Sequence, residues 1–248
     1  MNAITGQVPH TSESHPARNI TEWDVVALTR WGSYVTEVEA RAVLRAHALA
    51  GPTRMAVDVG CGGGRWSKVL SDLGWHLTCI DADPHALEIC RNRVPAAGCI
   101  LAEETSSVLP CASRSASLML CIEVSNVITA DWFFAEARRV LEDRGFLVGT
   151  VWNRRSLRSM MSGLRLRQPG KPRMQQYYRS SYRQWRTKLR AAGFRLIYEE
   201  GFCWGPFSRA SNSALVPLFT DLERSLRLNR LVSLSPWISF IARKDHPG

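Results

Sequence analysis

The chain has 248 residues, of which 45% are hydrophobic and 22% charged. That length fits one large α/β domain or two small ones, and the ordinary apolar share excludes global disorder. The formal net charge of +10 is regional: residues 144–198 hold twelve arginines, two lysines and no acid, leaving the remainder slightly acidic.

In chain order, residues 1–21 read as a disordered lead-in, polar and rich in Gly, Pro, Ser, Thr and His. From Glu22 to Ala50 the pattern is helical, with Val35, Val38, Ala42, Leu44 and Leu49 near helical spacing and Gly51-Pro52 as the stop. A strand–helix alternation follows. Met55–Val59, His76–Ile80, Cys99–Ala102, Leu118–Ile122 and Gly145–Trp152 read as strands, and Arg65–Leu73, Pro84–Val94 and Asp131–Leu141 as the helices between them. Asp83 is placed to cap the second of these helices, with Pro84 at its first position. Continuous apolar strands alternating with helices predict a parallel sheet covered on both faces. After Trp152 the rhythm breaks. Residues 153–178 read as a basic cap and Ser180–Ala192 as a helix. Phe194–Glu199 and Trp237–Ala242 are the last strands, and the 201–235 insertion between them is helical over Ser213–Leu226. Residues 22–248 thus read as one α/β domain with two cap or insertion regions.

No apolar run approaches the ~18 residues of a membrane span, and the first residues lack an apolar signal core, so a soluble cytoplasmic protein is expected. Seven cysteines, Cys61, Cys79, Cys90, Cys99, Cys111, Cys121 and Cys203, are scattered with no Cys-x-x-Cys spacing. That argues for buried reduced thiols rather than a disulfide framework or a zinc ribbon, and no metal is expected. The basic region attracts an anion such as phosphate, carboxylate, RNA or a lipid surface, or is a solvated face of an arginine-rich chain.

The central constellation is Val57-Asp58-Val59-Gly60-Cys61-Gly62-Gly63-Gly64, after a strand and before a helix. Glycines there let the backbone approach a ligand, and the helix start offers unpaired N–H groups. The dinucleotide fingerprint G-x-G-x-x-G fails in both registers, because Arg65 or Ser67 takes the place of the third glycine. A Walker loop fails too, since Ser67 rather than Gly precedes Lys68. Asp58 would end the first strand facing the ligand crevice. A carboxylate there suits a cationic group and repels a pyrophosphate.

Asp58-x-Gly60-x-Gly62-x-Gly64 resembles the first motif of the class I S-adenosylmethionine-dependent methyltransferases. Cys79-Ile80-Asp81-Ala82-Asp83 resembles the family's second motif, and Leu101-Ala102-Glu103-Glu104 the segment after its third strand. Arg139–Leu147 is similar to the family's R-V-L-K-P-G-G-x-L stretch, and Ala192-Gly193-Phe194 to its A-G-F before the sixth strand. Two positions depart from the pattern: Glu142-Asp143-Arg144-Gly145 replaces the Lys-Pro-Gly-Gly turn, and Ser117 stands where an Asp is usual. The likeness spans about residues 22–200 and the last strand, and is greatest to the branch that methylates small metabolites, quinones and lipids. It implies a Rossmann-like, seven-stranded, mostly parallel sheet with helices on both faces, and S-adenosylmethionine as cofactor. It also implies cofactor contacts at Asp58, Gly60, Cys61 and Gly62, ribose contacts at Asp81 with Ala82 beside it, and an adenine contact at Glu103 or Glu104.

The reaction so implied is an in-line displacement at the sulfonium methyl, which requires positioning and, for an alcohol, phenol or amine, a base. Glu123, just past the fourth strand, is a candidate base or substrate contact. Tyr177 and Tyr178 after the basic segment could line the acceptor site, or pack a helix. Trp31 and Tyr34 could cover the cofactor, or belong to the core. No histidine is an obvious base; His85 opens the helix beside the ribose site. The expected partner is a small-molecule acceptor, more narrowly one with an acidic group met by Arg154, Arg155 and Arg158. RNA, drawn to the 144–198 region, is the alternative, although Ile122-Glu123-Val124-Ser125-Asn126 stands where amino-methylating enzymes carry Asp/Asn-Pro-Pro-aromatic. A non-catalytic protein keeping the fold is the third reading. The acceptor atom and the oligomeric state are not legible in this sequence.

Overall fold

The computed structural model describes residues 20–52, 54–103, 105–164 and 178–245, excepting the side chains of 161–164. Seven strands form one sheet: β1 (Met55–Val59), β2 (His76–Asp81), β3 (Gly98–Leu101), β4 (Ala116–Cys121), β5 (Leu141–Trp152), β6 (Phe194–Phe202) and β7 (Trp237–Lys244). Their order is β3-β2-β1-β4-β5-β7-β6. Every pairing is parallel except those of β7, which runs antiparallel to both β5 and β6. The expected Rossmann-like α/β architecture is therefore present.

Alternate residues of the central strands enter two different cores, as a strand's two-residue side-chain period demands. Val57, Val59, Met119, Cys121, Leu147 and Val151 face helices α6 (Phe133–Val140) and α8 (Tyr182–Ala191) through Phe133, Phe134, Ala137, Trp185 and Leu189. Ala56, Leu118, Leu120, Phe146 and Val148 face the opposite layer. There α2 (Arg30–Leu49), α3 (Arg65–Asp72) and α4 (Pro84–Arg93) contribute Ala42, Val43, Leu70, Leu87 and Cys90.

The predicted helix over Glu22–Ala50 is two helices, α1 (Glu22–Ala27) and α2. Thr29 is extended and its hydroxyl accepts from the Gly32 N–H, so it starts a new helix instead of continuing the first. A Cβ on Gly32 would lie 1.9 Å from the Val26 carbonyl oxygen, so only glycine permits this tight junction. Asp83 caps α4, with Pro84 in its first turn, as expected. β5 starts four residues early because its first residues pair with β4 across a register shift between Ala116 and Leu118. A four-residue helix, α5 (Ser125–Ile128), follows β4. The basic cap opens with α7 (Leu157–Leu164), and the insertion after β6 carries α9 (Val216–Ser225). Asn153, fully buried, ties these parts together. Its Nδ2 donates to the Ser233 and Ser235 carbonyls, and its Oδ1 accepts from the Arg155 and Tyr182 N–H groups. Among the described residues no helix is long and apolar enough to cross a membrane.

Candidate functional site

The strand order reverses direction between β1 and β4, and in open α/β sheets the crevice at the strands' C-terminal ends there is the ligand position. The glycine loop leaves β1 at that point. Gly60 has φ +71° and Gly62 +53°. A Cβ on Gly60 would lie 2.4 Å from the Val124 side chain, whereas one on Gly62 would meet nothing within 4 Å. The loop is thus wedged against the β4–α5 connection and open above Gly62. The Gly60 and Cys61 N–H groups donate to the Ile80 carbonyl at 2.7 and 3.1 Å. Gly62 N–H donates to Asp81 Oδ2 at 2.7 Å, and Asp83 N–H to Asp81 Oδ1 at 3.0 Å. The structure therefore brings Gly60, Cys61, Gly62 and Asp81 together, with Ala82 exposed beside them. Glu103 is exposed just past β3, and Glu104 lies outside the described residues.

Asp58 sits deeper than its motif suggests. It is 3% exposed, and its Oδ2 accepts from Ser67 Oγ at 2.6 Å. Burial, with Cys79 beside it, pushes its carboxyl up to about 7.

Next to the loop lies a charged cluster that sequence reasoning found only in part. Glu39 of α2 is fully buried, and its Oε2 accepts from Arg65, the first residue of α3, at 3.1 Å. Arg65 also donates to Thr36 at 2.9 Å and comes within 4.0 Å of Glu123. Arg209, from the insertion, pairs with Glu123 and lies over the Trp23 ring at 4.0 Å. Burial raises the Glu39 carboxyl against the pull of both arginines, and lowers the Arg209 guanidinium to about 10, so it stays charged at neutral pH. Glu123 has a left-handed φ of +64°, and its N–H donates to Thr150 Oγ1 at 2.6 Å. Its Oε1 is buried and has no hydrogen-bond partner. Two signals for the missed residues were in the sequence. Glu39 interrupts the apolar stripe of Val35, Val38 and Ala42, and Arg65 places a cation in a helix's first turn, where the dipole disfavours it. Nothing local announced Arg209.

Three of the aromatic candidates are buried. Trp31 and Tyr34 are buried in a third core with Val38, Trp152, Tyr178 and Trp237. Tyr34 donates its hydroxyl to Glu223 of α9 and accepts from the Cys203 N–H. Tyr178 is buried, and its hydroxyl accepts from Trp237 Nε1 at 3.3 Å. Tyr177 lies outside the described residues. What reaches over the glycine loop is α1: a Cβ on Gly63 would lie 2.7 Å from Thr21, and Asp24 is held there by Arg93 in two hydrogen bonds of 3.0 and 2.9 Å.

The expected basic face is corrected in two ways. Arg158 donates to the carbonyls of Cys203, Gly205 and Phe207 instead of facing a ligand. Arg144 and Arg154 fall near opposite ends of β5, about 30 Å apart at ~3.3 Å per residue, so these two do not share a patch. Arg154 and Arg155 remain exposed at the strand's C-terminal end. A hollow of about 390 Å³ lined by Leu49, Ser117, Glu142 and Arg243 lies at the other edge of the sheet, away from the loop.

Residues 57–149 match the family model of the methyltransferase domain. A Thermotoga maritima S-adenosylmethionine-dependent methyltransferase, described as a possible histamine N-methyltransferase, superposes with a TM-score of 0.56 at 16% identity, over 90% of this chain and 100% of that one. A geranyl diphosphate methyltransferase, solved with GPP and sinefungin, gives 0.58 at 14% identity over 86% and 78%. A Mesorhizobium loti S-adenosylmethionine-dependent methyltransferase gives 0.55 at 15% over 80% and 95%. No curated protein matches the sequence.

Proposed function

We propose that this chain, whose residues 57–149 match the methyltransferase-domain model, is an S-adenosylmethionine-dependent methyltransferase whose acceptor is a small molecule presenting an N–H or O–H group to Glu123. The cofactor supplies a methyl group on a sulfonium, activated for displacement. The residues fit it: the space above Gly62 is open, and Asp81 is held by two backbone N–H groups at the ribose position of the resembling motif. Ala82 and Glu103, both exposed, are the residues that would hold the adenine side of the cofactor. Asp58 acts from beneath, through Ser67 and the loop.

The observation that carries the reading is the state of Glu123. The carboxylate is paired with two arginines, while Oε1 is buried and lacks a donor. A buried acceptor without a donor costs about 1–3 kcal/mol, and an incoming hydroxyl or amine relieves that cost. The same oxygen orients the acceptor and can take its proton. The left-handed backbone at Glu123 costs a further ~1–3 kcal/mol. More narrowly, an acidic group on the acceptor would meet the exposed Arg154 and Arg155.

The test is transfer from labelled S-adenosylmethionine to a panel of small amines, alcohols and phenols, with and without a carboxylate, beside total RNA. We expect a labelled small molecule. Glu123→Gln should lower kcat by about 10²–10⁴ with little change in acceptor KM. Neutralising Arg154 and Arg155 should raise KM for acidic acceptors alone. Label appearing only in RNA overturns the reading.

A further inference from the structure

Three of the scattered cysteines converge. Cys61 comes from the glycine loop, Cys79 from β2 and Cys90 from α4, and their sulfurs all lie within 4.8 Å of one another. All three residues are buried and their thiols are free. Among the described residues no other three His, Cys, Asp or Glu side chains meet in this way. The nearest carboxylate, Asp58, is engaged by Ser67 and stands outside the group. Sequence spacing could not show this set, because the three residues are 11 or more positions apart and only the parallel pairing of β1 with β2, and the packing of α4 on it, brings them together.

A donor set of sulfur alone is selective. Thiolates favour soft, thiophilic ions over hard cations, which take oxygen. We propose that Cys61, Cys79 and Cys90 bind a soft d¹⁰ cation of the zinc or cuprous class through three thiolates. For a divalent ion the balance is three thiols and one cation going to a tris-thiolate complex with net charge −1 and three protons released. Cys99 of β3 is half-buried, and its sulfur lies 3.8 Å from that of Cys90, which gives the ion a sulfur step inward from the surface. The site would touch the methyl-donor loop directly. Cys61 is flanked by Gly60 and Gly62, and a Cβ on Gly64 would lie 2.7 Å from Cys90 Sγ. A bound ion would therefore tie the loop to β2 and α4. The proposal does not depend on the identity of the acceptor.

The test uses the reduced full chain, stripped with a chelator and titrated with Cd²⁺ as the probe, reading sulfur-to-metal charge-transfer absorption, with Zn²⁺ and Cu⁺ as competitors. The expected result is saturation at one ion per chain, proton release on binding and a raised Tm. Cys79→Ser and Cys90→Ser should each weaken binding by about a hundredfold or more, since even outer-shell changes cost 10–100-fold. Cys111→Ser should leave it unchanged. Metal-free thermal unfolding of each variant shows whether it is folded. X-ray absorption of the zinc-loaded wild type, which needs no variant, should show three sulfurs at about 2.3 Å. Absence of a charge-transfer band at stoichiometric metal, binding that survives in the Cys79→Ser/Cys90→Ser double variant, or a shell of oxygen and nitrogen only would each overturn the proposal and leave three packed thiols.

Discussion

Asp81 and Glu123 are both carboxylates at strand ends, yet their roles follow from the chain to different depths. The position of Asp81 at the end of the second strand was legible because it follows from the chain's rhythm, and the structure sets one of its oxygens on the Gly62 N–H of the glycine loop and the other on the Asp83 N–H. Asp81→Ala should weaken S-adenosylhomocysteine binding by about a hundredfold, as expected for losing charged hydrogen bonds of ~1.5–3 kcal/mol, measured by calorimetric titration. An unchanged affinity would move the ribose contact elsewhere. Glu123 was legible only as a location. Its pairing with Arg209, which is 86 residues away in sequence, depends on the fold.

At the scale of elements, the cap and insertion are held by side chains whose sequence reading pointed outward. Arg158 of α7 binds three carbonyls on the segment that leads to Arg209. Arg158→Lys cannot span them. It should lower Tm by about 5–10 °C, corresponding to ~2–3 kcal/mol in a chain of this size, by thermal unfolding. A large change in acceptor KM with no loss of stability would return Arg158 to the acceptor site. Helix α9 docks on α2 through Glu223 and Tyr34. Burial raises the Glu223 carboxyl to about 7, against the opposing hydrogen bond from Tyr34. Between the ordinary Glu value and 7, the native state keeps a proton that the unfolded chain has lost, so this group's contribution to stability falls as pH rises through that window and levels off above it. Glu223→Gln has no such proton to lose. The stability difference, variant minus wild type, read by thermal unfolding, should widen from pH 5 to pH 8, toward about 3 kcal/mol at ~1.4 kcal/mol per unit. A difference independent of pH would show that Glu223 is ionised throughout.

For the molecule as a whole, the parts of the site come from separate stretches of chain gathered at one edge of the sheet: the loop after β1, the end of β2, the residue after β4, the start of α3 and the insertion. A ligand that bridges them should stabilise the entire fold. S-adenosylhomocysteine at 100 times its Kd should raise Tm by about 5–10 °C, from ~2.7 kcal/mol of linkage, whereas NAD should not. The shift should vanish in Asp81→Ala. Equal shifts from both ligands would contradict the reading of the glycine loop.

What the amino-acid order determined alone was local and periodic: strand and helix alternation, the glycine loop with its failed dinucleotide register, the Asp83 cap, and the carboxylates at strand ends. Those signals are encoded within a few residues, so they survive without knowledge of the fold. The tertiary structure decided what depends on distance through space. It split the first helix at Thr29 through the close approach at Gly32, buried Trp31, Tyr34 and Tyr178, and set Arg144 and Arg154 near opposite ends of β5. It also paired Glu123 with Arg209 and assembled three cysteines from a loop, a strand and a helix. Long-range pairing of buried charges and thiols leaves no periodic trace in sequence, because each partner is selected by packing against elements far along the chain.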